Sequence, residues 1–291
     1  MKPPNFLYAA PRSLDEALTL AATYGGDAMI LAGGQSLVAA MNFRFVAPAV
    51  LIDLNRVPEL SYIRREGERL HVGAMTRHRA LEFSQEGIDA EPLLARVSCE
   101  IGPLAIRNRG TIGGSIAHAH PAAEWPLIAV ALDAQLTLRS ASHSRSIPAR
   151  EFFVGPFRNA AAAGEILTQI TFPAARSNSN FGFCELSRRP SDLPIVAVAC
   201  RVARNESGDC SAATLAVGGA DEVPRHISAV EQILIGTRGE ANALREAAEV
   251  AAAAVAPRTD IHASANYRRR MVAVMTRRAL AQAFGLGGVG V

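Results

Sequence analysis

Cysteine is scarce in this chain and is not arranged to hold a metal. The four cysteines share no C-x-x-C pair or other closely spaced set; they are Cys99, Cys184, Cys200 and Cys210. Iron–sulfur clusters and structural zinc sites need closely spaced thiolates. We therefore expect neither centre in this chain, and we expect its cysteines to be reduced thiols in the core.

Long apolar segments are missing as well. No apolar run reaches the length that spans a bilayer. The first residues, Met1–Phe6, lack the apolar segment of a secretory signal. We therefore expect a cytoplasmic protein with no membrane span.

The common catalytic motifs are absent from the sequence. The glycine pairs are not part of a G-x-S-x-G elbow, and no H-E-x-x-H, D-F-G or catalytic-cysteine pattern is present. No acid, base and nucleophile form a self-contained set. A bound cofactor is therefore expected to carry the chemistry.

Neither sign of charge is in large excess: the chain has 30 basic and 27 acidic residues and a formal net charge of +3. The dense basic groups are Arg268–Arg270 and Arg277–Arg278, within a predicted helix. No aromatic residues are interleaved with them, so nucleic-acid binding is not expected. These arginines are expected to form a solvated face or a contact with a partner subunit.

A short histidine pair could suggest a metal site. His118, His120 and Glu124 are suitable ligand types, but no further ligand lies nearby in the sequence. The alternative is that these polar groups serve a nucleotide. In that case the histidines would face phosphate or sugar, and Glu124 would accept hydrogen bonds from ribose or ribityl hydroxyls.

Two glycine motifs are the most informative features present. Glycine lets main-chain N–H groups approach a ligand that a Cβ would block, and a strand, turn and helix N-terminus together can bind phosphate. Either motif alone is better explained as a tight turn that binds nothing. The two motifs occur far apart in the sequence, so they can belong to different subdomains. Together they predict that a diphosphate is bound between those two subdomains. The first glycine motif is Ala32, Gly33, Gly34, Gln35, Ser36 and Leu37, and the second is Gly110, Thr111, Ile112, Gly113, Gly114 and Ser115.

The length of 291 residues favours two domains, and the polar segment Ala174–Asn180 predicts the linker between them. We expect domains at 1–176 and 177–291. Before the linker, the capping-box pattern Ser13–Glu16 predicts the start of a helix, and Ala28–Leu31 predicts a strand that leads into the first glycine motif. The apolar patterns also predict helices at 76–84 and 91–99, and a turn is predicted at Gly113-Gly114. After it they predict strands at Leu193–Val202 and Ala212–Gly218, helices near 227–235, 240–256 and 264–284, and a mobile tail at 285–291.

Both motifs resemble those of a known family, the FAD-binding (medium) subunits of molybdenum hydroxylases such as carbon monoxide dehydrogenase and xanthine dehydrogenase. The likeness runs almost end to end. It includes Val72–Thr76, Phe152–Pro156, Glu165–Leu167, Ser187–Arg189 with Asp192, and Tyr267-Arg268. Two positions depart from the family pattern: His120 stands where aspartate or serine is commoner, and Ala161 where leucine is usual.

The resemblance implies an α+β fold, with a two-subdomain FAD-binding (PCMH-type) domain followed by a domain of antiparallel sheet and helices. It also implies FAD bound with its diphosphate between the two glycine motifs. The motifs offer phosphate sites but no obvious attachment chemistry, so we expect the FAD to be held without a covalent link. Glu124 would then reach the sugar-like chain of the flavin, and Leu167 would pack near the isoalloxazine.

The same resemblance implies an electron-transfer subunit. Its FAD would take electrons from an iron–sulfur small subunit and pass them to an external acceptor, while a large subunit binds the molybdenum cofactor. The assembly would be a heterotrimer or a dimer of heterotrimers. Two alternatives stay open: a free-standing flavin oxidoreductase of related fold, and a non-catalytic nucleotide-binding or assembly module.

Overall fold

The chain begins with a small subdomain built on a parallel sheet. In the computed structural model, which describes residues 2–286, three parallel strands lie in the order β1-β3-β2. Helix α1 begins where Ser13 accepts a hydrogen bond from the N–H of Glu16, as the capping pattern predicts. The elements are β1 (Leu7–Ala9), α1 (Leu14–Tyr24), β2 (Ala28–Leu31), α2 (Leu37–Asn42) and β3 (Val50–Asp53).

A second subdomain holds a five-stranded antiparallel sheet in the order β4-β5-β10-β6-β7. Its helices are short and pack on the sheet around the buried Trp125 and Phe152. The elements are β4 (Ile63–Glu66), β5 (Arg69–Gly73), α3 (His78–Phe83), α4 (Gln85–Ala90), α5 (Pro92–Ser98), α6 (Leu104–Arg109), α7 (Ile112–His118), α8 (Glu124–Ala131), β6 (Gln135–Arg139), β7 (Ser144–Pro148), α9 (Ala149–Phe152), β8 (Phe153–Gly155), β9 (Arg158–Asn159) and β10 (Ile166–Pro173).

The C-terminal part is a four-stranded antiparallel sheet covered by helices, as expected. Strand β12 is buried on both faces: Ala197 and Ala199 face the central core beside α8, while Val198 and Cys200 face the C-terminal helices. Burial on both faces explains its nearly continuous apolar sequence. The elements are β11 (Ser179–Leu186), β12 (Val196–Arg204), β13 (Cys210–Gly218), β14 (Arg225–His226), α10 (Ser228–Leu234), α11 (Ala241–Ala253) and α12 (Ala265–Ala283).

Several sequence-based predictions differ from the structure. Strand β11 occupies residues for which we predicted no strand, and it begins at Ser179, inside the predicted linker. Helices α4 and α6 were also not predicted. The prediction for the tail at 285–291 falls outside the described residues from position 287 onward.

Arg268 corrects the expectation of a uniformly solvated basic face on α12. It is buried, and it donates to the carbonyls of Ile195 (2.6 Å) and Gly219 (2.8 Å) and to the Asp260 carboxylate (2.6 Å). The neighbouring Arg269 and Arg270 are exposed. Arg268 therefore stabilises the C-terminal fold, because its buried guanidinium pairs with two main-chain carbonyls and a carboxylate. Among residues 2–286, no helix is long and apolar enough to cross a bilayer.

Candidate functional site

The first glycine motif lies at the carboxyl edge of the parallel sheet. Strand β2 ends at Leu31, directly before the motif, and its parallel neighbour β3 ends at Asp53, in register with Leu31. Ligands of open parallel sheets bind outside the carboxyl ends of the strands. A cavity of about 420 Å³ opens at this edge, lined among others by Gly33, Gln35, Asp53 and Arg109.

The main chain of the first motif offers free hydrogen-bond donors. Across the part of the chain that the structure describes, no protein acceptor pairs with the N–H groups of Gly33, Gly34, Gln35 or Ser36. Gly34 has φ +74°, a left-handed conformation that favours glycine. Successive N–H groups around such a residue form a concave surface that suits an anion. These residues therefore fit a diphosphate.

The second glycine motif differs from the turn that we predicted. Gly113 and Gly114 lie in the first turn of α7, so the predicted turn is wrong and neither glycine has a positive φ. Their N–H groups are already used: Gly113 donates to the carbonyl of Ala74 (2.9 Å), and Gly114 to Oγ1 of Thr111 (3.0 Å). The expectation of free donors here is wrong as well. The glycines of the second motif instead provide small residues that allow close packing.

The two motifs pack directly on each other. A Cβ added at Gly33 would overlap the carbonyl oxygen of Arg109 and lie 2.7 Å from the Cα of Gly110. A Cβ added at Gly114 would lie 2.8 Å from Oγ1 of Thr111 and 3.2 Å from the Cβ of Ala32. The glycines are therefore needed first for contact between the motifs, and not only for space beside a ligand.

His78 is hydrogen-bonded to the second motif. The main-chain N–H of His78 donates to the carbonyl of Gly110 (3.1 Å), and the ring Nδ1 accepts a hydrogen bond from the indole N–H of Trp125 (2.9 Å). That bond requires an unprotonated Nδ1, so the imidazole is neutral with its proton on Nε2. Burial, helped by the charges of Arg77 and Arg107, lowers the pKa of His78 to about 3. The sequence analysis gave no role to this residue.

Glu124 and Leu167, the other two predicted site residues, are both buried. Glu124 begins α8, where burial raises the pKa of its carboxyl to about 7 and the nearby Glu100 raises it further. Leu167 lies in β10 at an irregularity in the pairing with β6. Neither residue lines the cavity at the first motif.

The described residues also form a second cavity, which Glu124 does not line. It has a volume of about 500 Å³ and is lined by α5, β11, the loop that follows β11, and α12, with Glu100 and Glu185 among its polar residues. Burial, followed by the charges of Glu124 and Glu100, raises the pKa of Glu185 to about 8. Glu124 therefore lies close enough to both carboxyls to interact with them.

His118 and His120 pack on an aromatic ring. Their ring centroids each lie 5.1 Å from that of Phe157, and Ala119 between them adopts φ 52°. Burial lowers the pKa of both imidazoles, that of His120 to about 4. Within residues 2–286, no group of three or more His, Cys, Asp or Glu side chains is placed to hold a metal ion.

Four polar side chains that the sequence analysis missed connect the two motifs: Tyr8, Asp53, Asn55 and Arg77. One signal could have found two of them. Asp53 and Asn55 are polar residues directly after a buried strand, at the edge where a parallel sheet binds ligands. Tyr8 and Arg77 carry no local signal, because their contacts are distant in the sequence.

The neutral state of His78 predicts a pH dependence of stability. Its pKa is about 3 in the folded chain and 6.5 in a model peptide. Protons therefore favour the unfolded chain, and stability should fall as the pH drops from about 6.5 toward 3, by up to about 1.4 kcal/mol per pH unit from this residue. Replacing His78 with Gln should reduce that slope. Urea unfolding of both proteins at several pH values measures it, and identical slopes would contradict the assignment.

Comparisons with known proteins agree with this geometry. Residues 4–175 match the model of the FAD binding domain in molybdopterin dehydrogenase, and residues 181–283 match the CO dehydrogenase flavoprotein C-terminal domain. The chain is 40% identical over 283 residues to subunit alpha of the 6-hydroxypseudooxynicotine dehydrogenase complex from Paenarthrobacter nicotinovorans, covering 97% of this chain and 96% of that one.

Solved structures show the same relationship. A carbon monoxide dehydrogenase structure from Hydrogenophaga pseudoflava contains a chain with a TM-score of 0.95 and 35% identity, covering 98% of this chain and 99% of that one. The quinoline 2-oxidoreductase of Pseudomonas putida 86 gives a TM-score of 0.93 and 34% identity at the same coverage. The expected α+β architecture is thus confirmed, and this chain belongs to the FAD-binding medium subunits of the molybdenum hydroxylases.

Proposed function

We propose that this chain binds FAD with the diphosphate against the first glycine motif and relays electrons from a partner subunit to an external acceptor. The observation that carries the proposal is the row of free N–H groups from Gly33 to Ser36, next to a cavity at the carboxyl edge of a parallel sheet that Gly33, Gly34 and Gln35 line. A diphosphate supplies the anionic oxygens that such donors bind. Arg109, which also lines the cavity, supplies a positive charge.

The rest of the cofactor would extend past the second motif toward Glu124. The buried carboxyl of Glu124 would bind hydroxyls of the ribityl chain, and with a pKa of about 7 it can donate as well as accept at neutral pH. Leu167, which is 8% exposed, offers an apolar surface that would exclude water from the isoalloxazine. When bound, FAD supplies the redox chemistry, and these residues bind and orient it.

The proposed partners are inferred from the names of the relatives of this chain. Its relatives are named as a subunit of a dehydrogenase complex and as a medium chain of carbon monoxide dehydrogenase. We propose an iron–sulfur small subunit and a molybdopterin-binding large subunit, assembled with this chain as a heterotrimer or a dimer of heterotrimers. We place the complex in the cytoplasm, in keeping with four free cysteines. We also propose the domain division at 176/177, which lies between the two matched ranges.

Substitution of the glycines tests the binding site. Gly33→Val and Gly114→Val should each remove FAD from the purified protein, because the added side chain forces the two motifs apart. The loss of stability should be larger for Gly33→Val, since its neighbours are main-chain atoms. Gly26→Val is the matched control, because a Cβ there has no neighbour within 4 Å. Full flavin content in both site variants, measured after acid precipitation, would contradict the site.

Anaerobic reduction of the flavin tests the proposed role. Aldehydes and aromatic heterocycles should not reduce FAD in the isolated chain. In a complex co-expressed with the iron–sulfur and molybdenum subunits, the right substrate should bleach the flavin absorption. Rapid reduction in the isolated chain would favour a free-standing oxidoreductase. Flavin that stays oxidised in a substrate-reduced complex would exclude the electron-transfer role.

A further inference from the structure

A line of hydrogen bonds runs from strand β1 to the second glycine motif. Tyr8 donates to Oδ2 of Asp53 (2.5 Å), and Oδ1 of Asp53 accepts from the main-chain N–H of Asn55 (2.9 Å) and from its side-chain amide. Asp53 is buried. Its carboxylate is therefore engaged within the protein on both oxygens, and it orients the amide of Asn55.

Asn55 is the branch point of this network. Its Nδ2 donates to the carbonyl of Ala32 in the first motif (2.9 Å), and its Oδ1 accepts from the guanidinium of Arg77 (2.6 Å). The other terminal nitrogen of Arg77 donates to the carbonyl of Arg109, immediately before the second motif. One amide and one guanidinium thus tie the main chain of one motif to that of the other.

The segment around Arg77 is itself fixed to the second motif. Arg77 forms an antiparallel bridge with Thr111, and the carbonyl of Thr76 accepts from the N–H of Ile112 (3.0 Å). The second motif and Arg77 therefore form one rigid unit, whereas the first motif belongs to a different sheet. The bond between Arg77 and Asn55 joins the two units directly beside the cavity, which Asn55 lines.

We propose that Asn55 and Arg77 are positioning residues that set the separation of the two glycine motifs and thereby the affinity for the adenosine diphosphate half of FAD. This inference rests on the proposed binding of the diphosphate at the first motif. A cleft held at the right width binds a diphosphate without first losing entropy to order its walls. The flavin half lies toward Glu124 and does not depend on this spacing.

The two residue types suit this task. A guanidinium presents donors on separate nitrogens in a fixed plane, so that one side chain can bridge two acceptors, and an ammonium group on a flexible stem does not reproduce that geometry. Asn55 carries a donor and an acceptor on one planar group, and both are used here. Arg77→Lys should therefore fail to restore the spacing, although it keeps the charge.

Titration of the flavin-free full chain with FAD and with FMN, which lacks the adenosine monophosphate portion, tests the inference. The variants are Asn55→Leu, Arg77→Met and Arg77→Lys, each with its urea midpoint. Arg79→Met is the matched control, because Arg79 lies two residues after Arg77, in the first turn of α3, and contacts Glu82 and Phe83. Loss of a charge-assisted hydrogen bond should raise the Kd for FAD about tenfold or more in all three variants. The Kd for FMN and both Kd values in Arg79→Met should change less than about threefold.

Each outcome has a defined meaning. No binding of FAD by the unaltered chain would refute the proposed function itself. Binding by the unaltered chain with an unchanged Kd in the variants would overturn the inference alone. Equal losses for FAD and FMN, or full rescue by Arg77→Lys, would show a general structural role and would also overturn it. If Asn55→Leu or Arg77→Met does not fold, Arg77→Lys, which keeps charge and size, decides.

Discussion

The site depends on main-chain contact between two glycine motifs that belong to different sheets. Gly33 packs so closely on Arg109 and Gly110 that no Cβ fits between them. This contact brings the carboxyl edge of the parallel sheet against the junction of α6 and α7 in the second subdomain. A diphosphate bound there would meet free N–H donors from the first motif and a rigid wall from the second. The side chains of Asn55 and Arg77 hold the same boundary by hydrogen bonds.

The sequence predicted the local parts of the fold better than their assembly. The capping pattern at Ser13, the strand before Gly33 and the amphipathic C-terminal helix follow from nearest neighbours in the chain, and the structure has all three. Strand β11 was missed because its polar start resembles a linker. The helical state of Gly113 and Gly114 was missed because glycine disfavours helices. Here the capping Thr111 and the contacts with Ala74 override that propensity.

The candidate site shows the same division. A glycine pair after a strand can be read from the sequence, and so can a polar residue at the end of β3. The direct packing of one motif on the other cannot, because it joins residues that lie more than 70 positions apart. The resemblance to a known family identified the ligand of both motifs as FAD. The structure adds that one motif offers donors while the other offers contact.

The electrostatic environment of the first glycine motif differs from that around Glu124, and we call these the first and the second end of the site. Beside the first motif, Arg109 and free N–H groups favour an anion. Around Glu124, three carboxyls lie close together, and burial and mutual repulsion raise the pKa of Glu124 to about 7 and that of Glu185 to about 8. At neutral pH Glu185 therefore holds its proton and Glu124 is partly protonated, so the second end carries less negative charge than its sequence indicates. A dinucleotide with one anionic segment and one uncharged ring system matches both ends.

Hydrogen–deuterium exchange of the chain with and without FAD, read by mass spectrometry, tests the central claim most directly. Amides of the first motif, free in the structure, should exchange rapidly without cofactor and become protected when FAD binds. Peptides that cover the second motif, whose amides are already bonded, should show a smaller change. FAD binding that leaves residues 32–37 unprotected would contradict the assignment of the diphosphate to the first motif.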